Sequence, residues 1–207
     1  MSYICILANR QGIVAAGDSR MTFYPVPVHT DRSRKVGIAA DQHLIWACCG
    51  LAVFGGVNYT ALTARILKGS KWSLAQKLAA ICRRVVPVLK LQHRINGKDA
   101  FYTLLLGVAD GAGIQVMSLD VINGEVTLQR WPAPAIIDAG WKKELRPPLV
   151  HPNQFQNDTL EALAQRAQER VAWAIARDHA LHETQQGHPQ TVGGPVKWVV
   201  LRKTEEL

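Results

Sequence analysis

The sequence has few charged residues and lacks the common catalytic and nucleotide-binding signatures. Asp, Glu, Lys and Arg make up 19% of the 207 residues, below the ~25% of typical globular chains, while apolar residues make up 48%. This composition excludes a disordered chain, which requires high charge and low hydrophobicity. It predicts one compact domain over residues 1–207. A surface with so few charges is typical of an oligomer.

The four cysteines are too few for a disulfide scaffold. None of Cys5, Cys48, Cys49 and Cys82 belongs to a C-x-x-C pair, which excludes the usual redox motif. The adjacent residues Cys48 and Cys49 would point to opposite faces of a strand. We therefore expect all four to be small buried residues in a reducing compartment, the cytoplasm.

No segment of the sequence predicts secretion or a membrane span. The apolar run at residues 1–6 has no basic region before it, which argues against a signal peptide. Residues 42–64 carry no formal charge but contain three glycines, and their apolar part is shorter than the ~20 residues of a span. We expect no membrane partner.

The positive charge of the chain is concentrated in its first half. The net charge is +8, with an excess of cations in residues 1–100 and a slight excess of carboxylates in residues 101–207. A basic half can indicate nucleic-acid binding, but these cations are scattered and lack interleaved aromatic residues. We expect no nucleic-acid partner, and interpret the cations as a solvated helix face or as a basic surface that meets an acidic one in an assembly.

The sequence contains no P-loop, no G-x-G-x-x-G, no G-x-S-x-G and no H-E-x-x-H motif. These absences remove the support for common nucleotide, α/β-hydrolase and zinc-protease chemistry. One histidine cluster, His179, His182 and His188 beside Asp178, has H-x-x-H spacing. Histidines at a helix end beside a polar loop are usually solvated, so we expect neither a metal nor a cofactor.

The hydrophobic pattern predicts strands and three helices in a segregated order. One helix begins after the glycine-rich segment near Phe54, one begins at a capping box of Ser73 and Gln76, and one begins after Asp158 as its cap. Antiparallel hairpins with segregated helices exclude a doubly wound parallel sheet. The expected fold is α+β, a four-layer α/β/β/α sandwich. The strands are predicted at residues 3–8, 13–16, 35–39, 43–49, 101–109, 114–119, 125–131, 135–138 and 196–201.

The start of the chain offers a nucleophile. Ser2 follows Met1, and a residue as small as serine permits removal of the initiator methionine. The chain would then begin with Ser2, which would carry a hydroxyl and an α-amine on one residue. The ordinary pKa of an α-amine is ~8, so this amine can serve as the base that a serine nucleophile needs.

Three segments resemble the proteasome β-subunit type of N-terminal nucleophile (Ntn) hydrolase. The segment from Gly12 to Thr22 contains Asp18-Ser19-Arg20-Met21-Thr22, similar to the segment that follows the first hairpin in that family. Lys35 opens a later strand, and Gly50 ends a strand before the first long helix. Order and spacing match over residues 2–57, and the family has a four-layer sandwich.

The resemblance implies a catalytic set of Ser2, Asp18, Lys35 and Gly50. Ser2 Oγ would attack an amide carbonyl with its own amine as base. Lys35, held by Asp18, would keep that amine neutral and would lower the pKa of the hydroxyl. The backbone N–H of Gly50, at a helix start, would stabilise the oxyanion.

The resemblance also implies residues that bind substrate or support the start of the chain. Thr22 would pair with the backbone of a peptide substrate, and Met21, Cys48 and Ala52 would line its side-chain pocket. Asp178 with residues 191–194, and Gly140 with Asp138, would correspond to the supporting segments of the family.

Three functions stay open on the sequence alone. The first is a peptidase whose subunits form a homo-oligomer, such as a ring, and cleave peptides or proteins. The second is an amidase that acts on a small molecule or on one specific partner. The third is a catalytically silent scaffold subunit. The sequence does not identify an ATPase partner.

Overall fold

The computed structural model describes residues 2–23, 28–39, 43–69, 71–140, 143–185 and 190–203. Met1, residues 40–42 between two predicted strands, and His188 lie outside the described residues. Within the described ranges the chain forms thirteen strands and three α-helices. The strands are β1 (Tyr3–Ala8), β2 (Gly12–Gly17), β3 (Met21–Phe23), β4 (Val28–Thr30), β5 (Val36–Ala39), β6 (Leu44–Gly50), β7 (Val53–Phe54), β8 (Val57–Asn58), β9 (Phe101–Asp110), β10 (Gly113–Ile122), β11 (Glu125–Pro132), β12 (Ala135–Gly140) and β13 (Lys197–Arg202). The helices are α1 (Tyr59–Lys68), α2 (Leu74–Asn96) and α3 (Leu160–Thr184).

Two antiparallel sheets form the centre of the molecule. One has four strands in the order β12-β1-β2-β13, and the other has five in the order β11-β10-β9-β6-β5. Ile4 and Ile13 from the first sheet pack against Ile45 and Leu105 from the second, so the inner core lies between the sheets. The hairpins β3–β4 and β7–β8 form two further small sheets.

The helices cover the outer faces of the two large sheets. Residues of α1 and α2, such as Leu67 and Ile81, share a core cluster with the outer side chains of β6, β9 and β10. The single helix α3 covers the outer face of β1 and β2, where Leu163 packs with Tyr3 and Leu7. Strand β1 is buried on both faces, which explains its continuous apolar run.

The predicted four-layer α/β/β/α sandwich of the Ntn type is wrong as a description of this fold. The described structure is mostly antiparallel β-sheet, with thirteen strands and three helices. Of the three described helices, only α3 packs on the outer face of β1 and β2, where Leu145 and Phe155 from the preceding segment share its core cluster. The sequence pattern identified helical segments, but it did not determine how much of each sheet they cover.

The beginnings of the helices differ in part from the predictions. The capping box of Ser73 and Gln76 is confirmed, with both of its hydrogen bonds formed. Asp158 is not the cap of α3, because the side chain of Thr159 accepts the hydrogen bond from the Ala162 N–H, while Asp158 pairs with Arg166. None of the three described helices has an apolar stretch long enough to span a bilayer.

Candidate active site

The candidate site is centred on Asp18, which directly follows β2 and is fully buried. Its carboxylate accepts hydrogen bonds from the backbone N–H of Tyr3 at 2.8 Å, of Arg20 at 3.2 Å and of Gly193 at 3.3 Å. The Lys35 ammonium donates to both of its oxygens at 2.9 Å. We call these five residues the Asp18 cluster. A buried charge needs such partners, and here four separate segments supply them.

Lys35 precedes β5 and is 4% exposed. Besides its bonds to Asp18, the Lys35 Nζ donates to the backbone carbonyl of Arg20. Its three N–H groups therefore match three acceptors within the Asp18 cluster. Within the described ranges, no hydrogen bond joins Lys35 to the side chain of Ser2. The link predicted from Asp18 to Lys35 is present, and any action of Lys35 on Ser2 would be electrostatic.

Ser2 is buried and directly precedes β1. The next residue, Tyr3, donates its N–H to Asp18 and accepts the Asp18 N–H at its carbonyl, at 3.1 Å. Gly140 lies opposite Tyr3 in the register of β1 and β12, and a Cβ there would lie 3.1 Å from the Ser2 carbonyl oxygen. Gly140 therefore allows β12 to approach the start of β1 closely, and its supporting role stays a prediction.

Gly50 does not lie at the start of a helix, which corrects the prediction. It is the last residue of β6, and α1 begins only at Tyr59 with Asn58 as its cap. The intervening hairpin turns at Gly55 and Gly56, which both have positive φ. Gly50 itself has φ +94°, and a Cβ there would lie 2.3 Å from the Phe101 carbonyl oxygen, so only glycine fits.

A cleft of about 330 Å³ is lined by residues that neighbour the Asp18 cluster in the chain. Met21 is among its lining residues, whereas Cys48 and Ala52 are not, and the substrate-binding role of all three stays a prediction. We define the cleft by the residues on which its charge and shape depend. These are Met21, Arg32, Ser33, Arg34, Trp46 and Lys68.

The predicted pocket residues Thr22, Cys48 and Ala52 lie in three different settings. Thr22 is in β3, whose only partner strand in the described part of the chain is β4. Cys48 packs among apolar residues of α1 and α2, and burial raises the pKa of its thiol to about 12, although Thr60 and Lys35 act to lower it. Ala52 is half-buried, and its carbonyl accepts the Tyr59 N–H at 2.8 Å.

Asp178 is fully buried on α3 and holds the segment before β13. Its carboxylate accepts the N–H of Thr191 at 2.6 Å and of Val192 at 2.8 Å. The following residue, Gly193, donates to Asp18 and accepts the N–H groups of Ser19 and Arg20. Asp178 is thus joined to the Asp18 cluster through two successive residues of one segment.

The family resemblance placed residues 191–194 in a supporting segment, but sequence reasoning missed the bond from the Gly193 N–H to Asp18 and the part played by the Arg20 backbone. Gly193 is 175 residues from Asp18, and no local pattern predicts a contact at that separation. A Cβ at this position would lie 2.6 Å from the Arg20 guanidinium carbon, so a larger residue would displace that side chain. The paired glycines Gly193 and Gly194 were the local signal for this segment. The described ranges contain no group of three His, Cys, Asp or Glu side chains that could hold a metal ion.

Comparison with known proteins adds no family assignment. No protein-family model matches the chain. A search of curated proteins finds no match either.

Proposed function

We propose that this chain is a peptidase in which Ser2, exposed by removal of Met1, is the nucleophile. One observation carries the proposal: a buried, fully bonded Asp18–Lys35 pair lies one residue away from Ser2, through the Tyr3 N–H. A buried ion pair is costly to desolvate, so its presence beside a buried serine favours a chemical role. We further propose a cytoplasmic homo-oligomer.

In the proposed mechanism the α-amine of Ser2 takes the proton from Ser2 Oγ, and Oγ attacks the carbonyl carbon of the substrate. The C–N bond then breaks, the proton passes to the leaving amine, and an ester to Ser2 remains. A water molecule, deprotonated by the same amine, hydrolyses this ester. The positive charge of Lys35 favours the neutral amine.

Two further groups have proposed roles toward the substrate. The Gly50 N–H is the proposed oxyanion donor, without the contribution of a helix dipole, because Gly50 ends a strand. The edge of β3 that lacks a partner among the described strands could pair with an extended peptide. Thr22 on this strand keeps its proposed role as a backbone contact.

An amidase for a small molecule is the second candidate. The volume of the cleft, about 330 Å³, lies at the lower end of the ~300–1,000 Å³ typical of small-ligand sites. Such a pocket suits one side chain or one small amide. This candidate uses the same Ser2 chemistry and differs in its substrate.

A silent scaffold is the third candidate. All three N–H groups of Lys35 have acceptors within the Asp18 cluster, an arrangement that also serves a purely structural pair. In that case Met1 would be retained, or Ser2 would not react.

Intact-mass measurement of the purified protein, before and after treatment with a peptide epoxyketone, tests the proposal. This reagent bonds to a hydroxyl and an α-amine on the same terminal residue. We expect loss of Met1 and one adduct. The variant Ser2→Ala should lose Met1 but form no adduct, whereas Ser2→Thr keeps both groups and should react.

Each outcome separates the candidates. Retained Met1 without an adduct favours the scaffold. Loss of Met1 without an adduct favours an amidase whose pocket excludes peptides. An adduct that persists in Ser2→Ala contradicts Ser2 as the nucleophile.

A further inference from the structure

The lining of the cleft is strongly cationic. Arg32, Arg34 and Lys68 all line it and are exposed to solvent. None of its described lining residues is Asp or Glu. The neighbouring Asp31 does not line the cleft, and both of its oxygens accept hydrogen bonds from the Arg20 guanidinium, at 2.9 and 3.1 Å. A concave surface lined by one sign of charge concentrates ligands of the opposite sign.

One lining residue of the cleft, Trp46, carries a buried donor without an acceptor among the described residues. Trp46 is 2% exposed, and its indole Nε1 has no hydrogen-bond partner among the described residues. Unpaired buried donors are rare, because burial removes their bonds to water. Gly37 makes this position of the ring possible, since a Cβ there would lie 2.4 Å from the Trp46 ring. An oxygen-bearing ligand would supply the missing acceptor.

The cleft borders the Asp18 cluster along the chain on both sides. Met21 directly follows Arg20, whose carbonyl accepts from Lys35. Ser33 and Arg34 directly precede Lys35. Consecutive Cα atoms are ~3.8 Å apart, so the cleft begins within one residue step of Lys35, one of the proposed catalytic groups.

From the cations and the unpaired indole donor we infer that the cleft receives a carboxylate side chain. The substrates of the proposed hydrolase are then amides of glutamyl or aspartyl residues, with the acidic side chain next to the bond that is cleaved. Arg32 and Arg34 bind the carboxylate, and the Trp46 N–H donates to one of its oxygens. This specificity rests on the proposed function for its catalytic meaning, whereas binding to the cleft does not require catalysis.

A pair of probes that differ by one charge tests the inference. N-acetyl-glutamate amide and N-acetyl-glutamine amide have nearly the same shape. Their binding to the Ser2→Ala protein is measured by calorimetry, so that no turnover interferes. We expect the glutamate probe to bind about tenfold more tightly, the difference typical of hydrogen bonds to a charged group. The preference should shrink as ionic strength rises.

Three variants test which residues of the cleft cause the preference for the glutamate probe. Arg32→Gln and Arg34→Gln should each reduce the ratio of the two affinities, and Trp46→Phe should weaken binding of both probes. Arg83→Gln is the matched control: Arg83 is an exposed arginine on α2 outside the cleft, and its loss should leave the ratio unchanged.

The outcomes are distinct from those of the epoxyketone experiment. Equal binding of the two probes overturns the inference, as does a preference that survives both arginine variants. Inorganic phosphate that binds more tightly than the glutamate probe overturns the assignment to a carboxylate side chain. A glutamate preference without any epoxyketone adduct supports carboxylate binding in the cationic cleft, while the proposed peptidase function fails.

Discussion

Two buried ion pairs lie on opposite sides of β1, and they differ in how completely they are bonded. In the Asp18–Lys35 pair the side chains are 0% and 5% exposed, and all three Lys35 N–H groups have acceptors. In the Asp138–Arg170 pair they are 13% and 8% exposed. Arg170 bonds to Asp138 at 2.6 Å and to the Pro148 carbonyl at 3.1 Å. Its buried Nε has no acceptor in the described part of the chain.

The difference indicates different roles. The Asp18–Lys35 pair joins four segments of the chain at the start of β1, and the closed network fixes their relative positions. The Asp138–Arg170 pair joins α3 to β12, and Arg170 also bonds the segment at Pro148, so this smaller network joins three segments and leaves one Arg170 donor without an acceptor among the described residues. A buried ion pair adds little net stability by itself. Because this network bonds the backbone of Tyr3, next to Ser2, we infer that its role is to fix the position of the start of β1.

We expect the largest loss of folding stability for the variant Lys35→Met. It leaves the Asp18 carboxylate buried with backbone donors only, and breaking a buried pair in this way costs about 3–5 kcal/mol. Urea unfolding measures the loss, and the epoxyketone adduct should disappear with it. The double variant Asp18→Asn with Lys35→Met should recover part of the stability, because it removes the unpaired charge. A loss below 1 kcal/mol would show that Asp18 is less confined than its contacts indicate.

We expect a smaller loss of folding stability for the variant Arg170→Met. Asp138 is partly exposed, and the Arg146 guanidinium lies 4.0 Å from it, so its charge keeps some compensation. We expect a loss of about 2 kcal/mol in the same unfolding experiment. The epoxyketone adduct should be unchanged. An effect as large as that of Lys35→Met would remove the distinction between the two pairs.

The smallest expected effect is the change in folding stability with pH that comes from the thiol beside each ion pair. Burial raises the pKa of Cys5, near Arg170, and of Cys48, near Lys35, to about 12 from an ordinary 9. Between pH 9 and 12 the unfolded state releases these protons and the folded state keeps them. Stability is therefore intact below pH 9 and falls above it, by about 1.4 kcal/mol per pH unit for each thiol.

Unfolding under reducing conditions at pH 8, 9 and 10 measures this slope. Cys5→Ala and Cys48→Ala should each reduce it by a similar amount. Cys82→Ala is the control, because Cys82 is only half-buried and its removal should change the slope less. Unequal changes for Cys5 and Cys48 would mean that the two ion pairs affect their neighbouring thiols differently.

The sequence predicted local structure well and long-range arrangement poorly. Strand β1 and the capping box at Ser73 were predicted because apolar runs and caps depend on neighbouring residues. The link between Asp18 and Lys35 came from a resemblance that spans only a short segment. The resemblance placed Gly193 in a supporting segment, but its bond to Asp18 could not be predicted, because a contact across 175 residues depends on how the whole chain packs.

The errors have local causes as well. A hairpin that turns at Gly55 and Gly56 separates Gly50 from α1, which begins only at Tyr59. The prediction that Gly50 lies at a helix start was therefore wrong. The prediction of a four-layer sandwich was wrong because hydrophobic periodicity identifies a helix but does not show how much of a sheet that helix covers. The unpaired indole of Trp46 has no signature in the sequence, since it depends on Gly37 across the strand pair.

The bond from the Gly193 N–H to Asp18 also sets an order of events during synthesis. A chain emerges from its N-terminus, so Ser2, Asp18 and Lys35 are made long before Gly193. Until that residue appears, the Asp18 carboxylate lacks one of its donors and the segment at Ser19 and Arg20 lacks its partner. The site around the proposed nucleophile Ser2 would therefore stay incomplete until the chain is nearly finished, and a growing polypeptide would be protected from the proposed reaction.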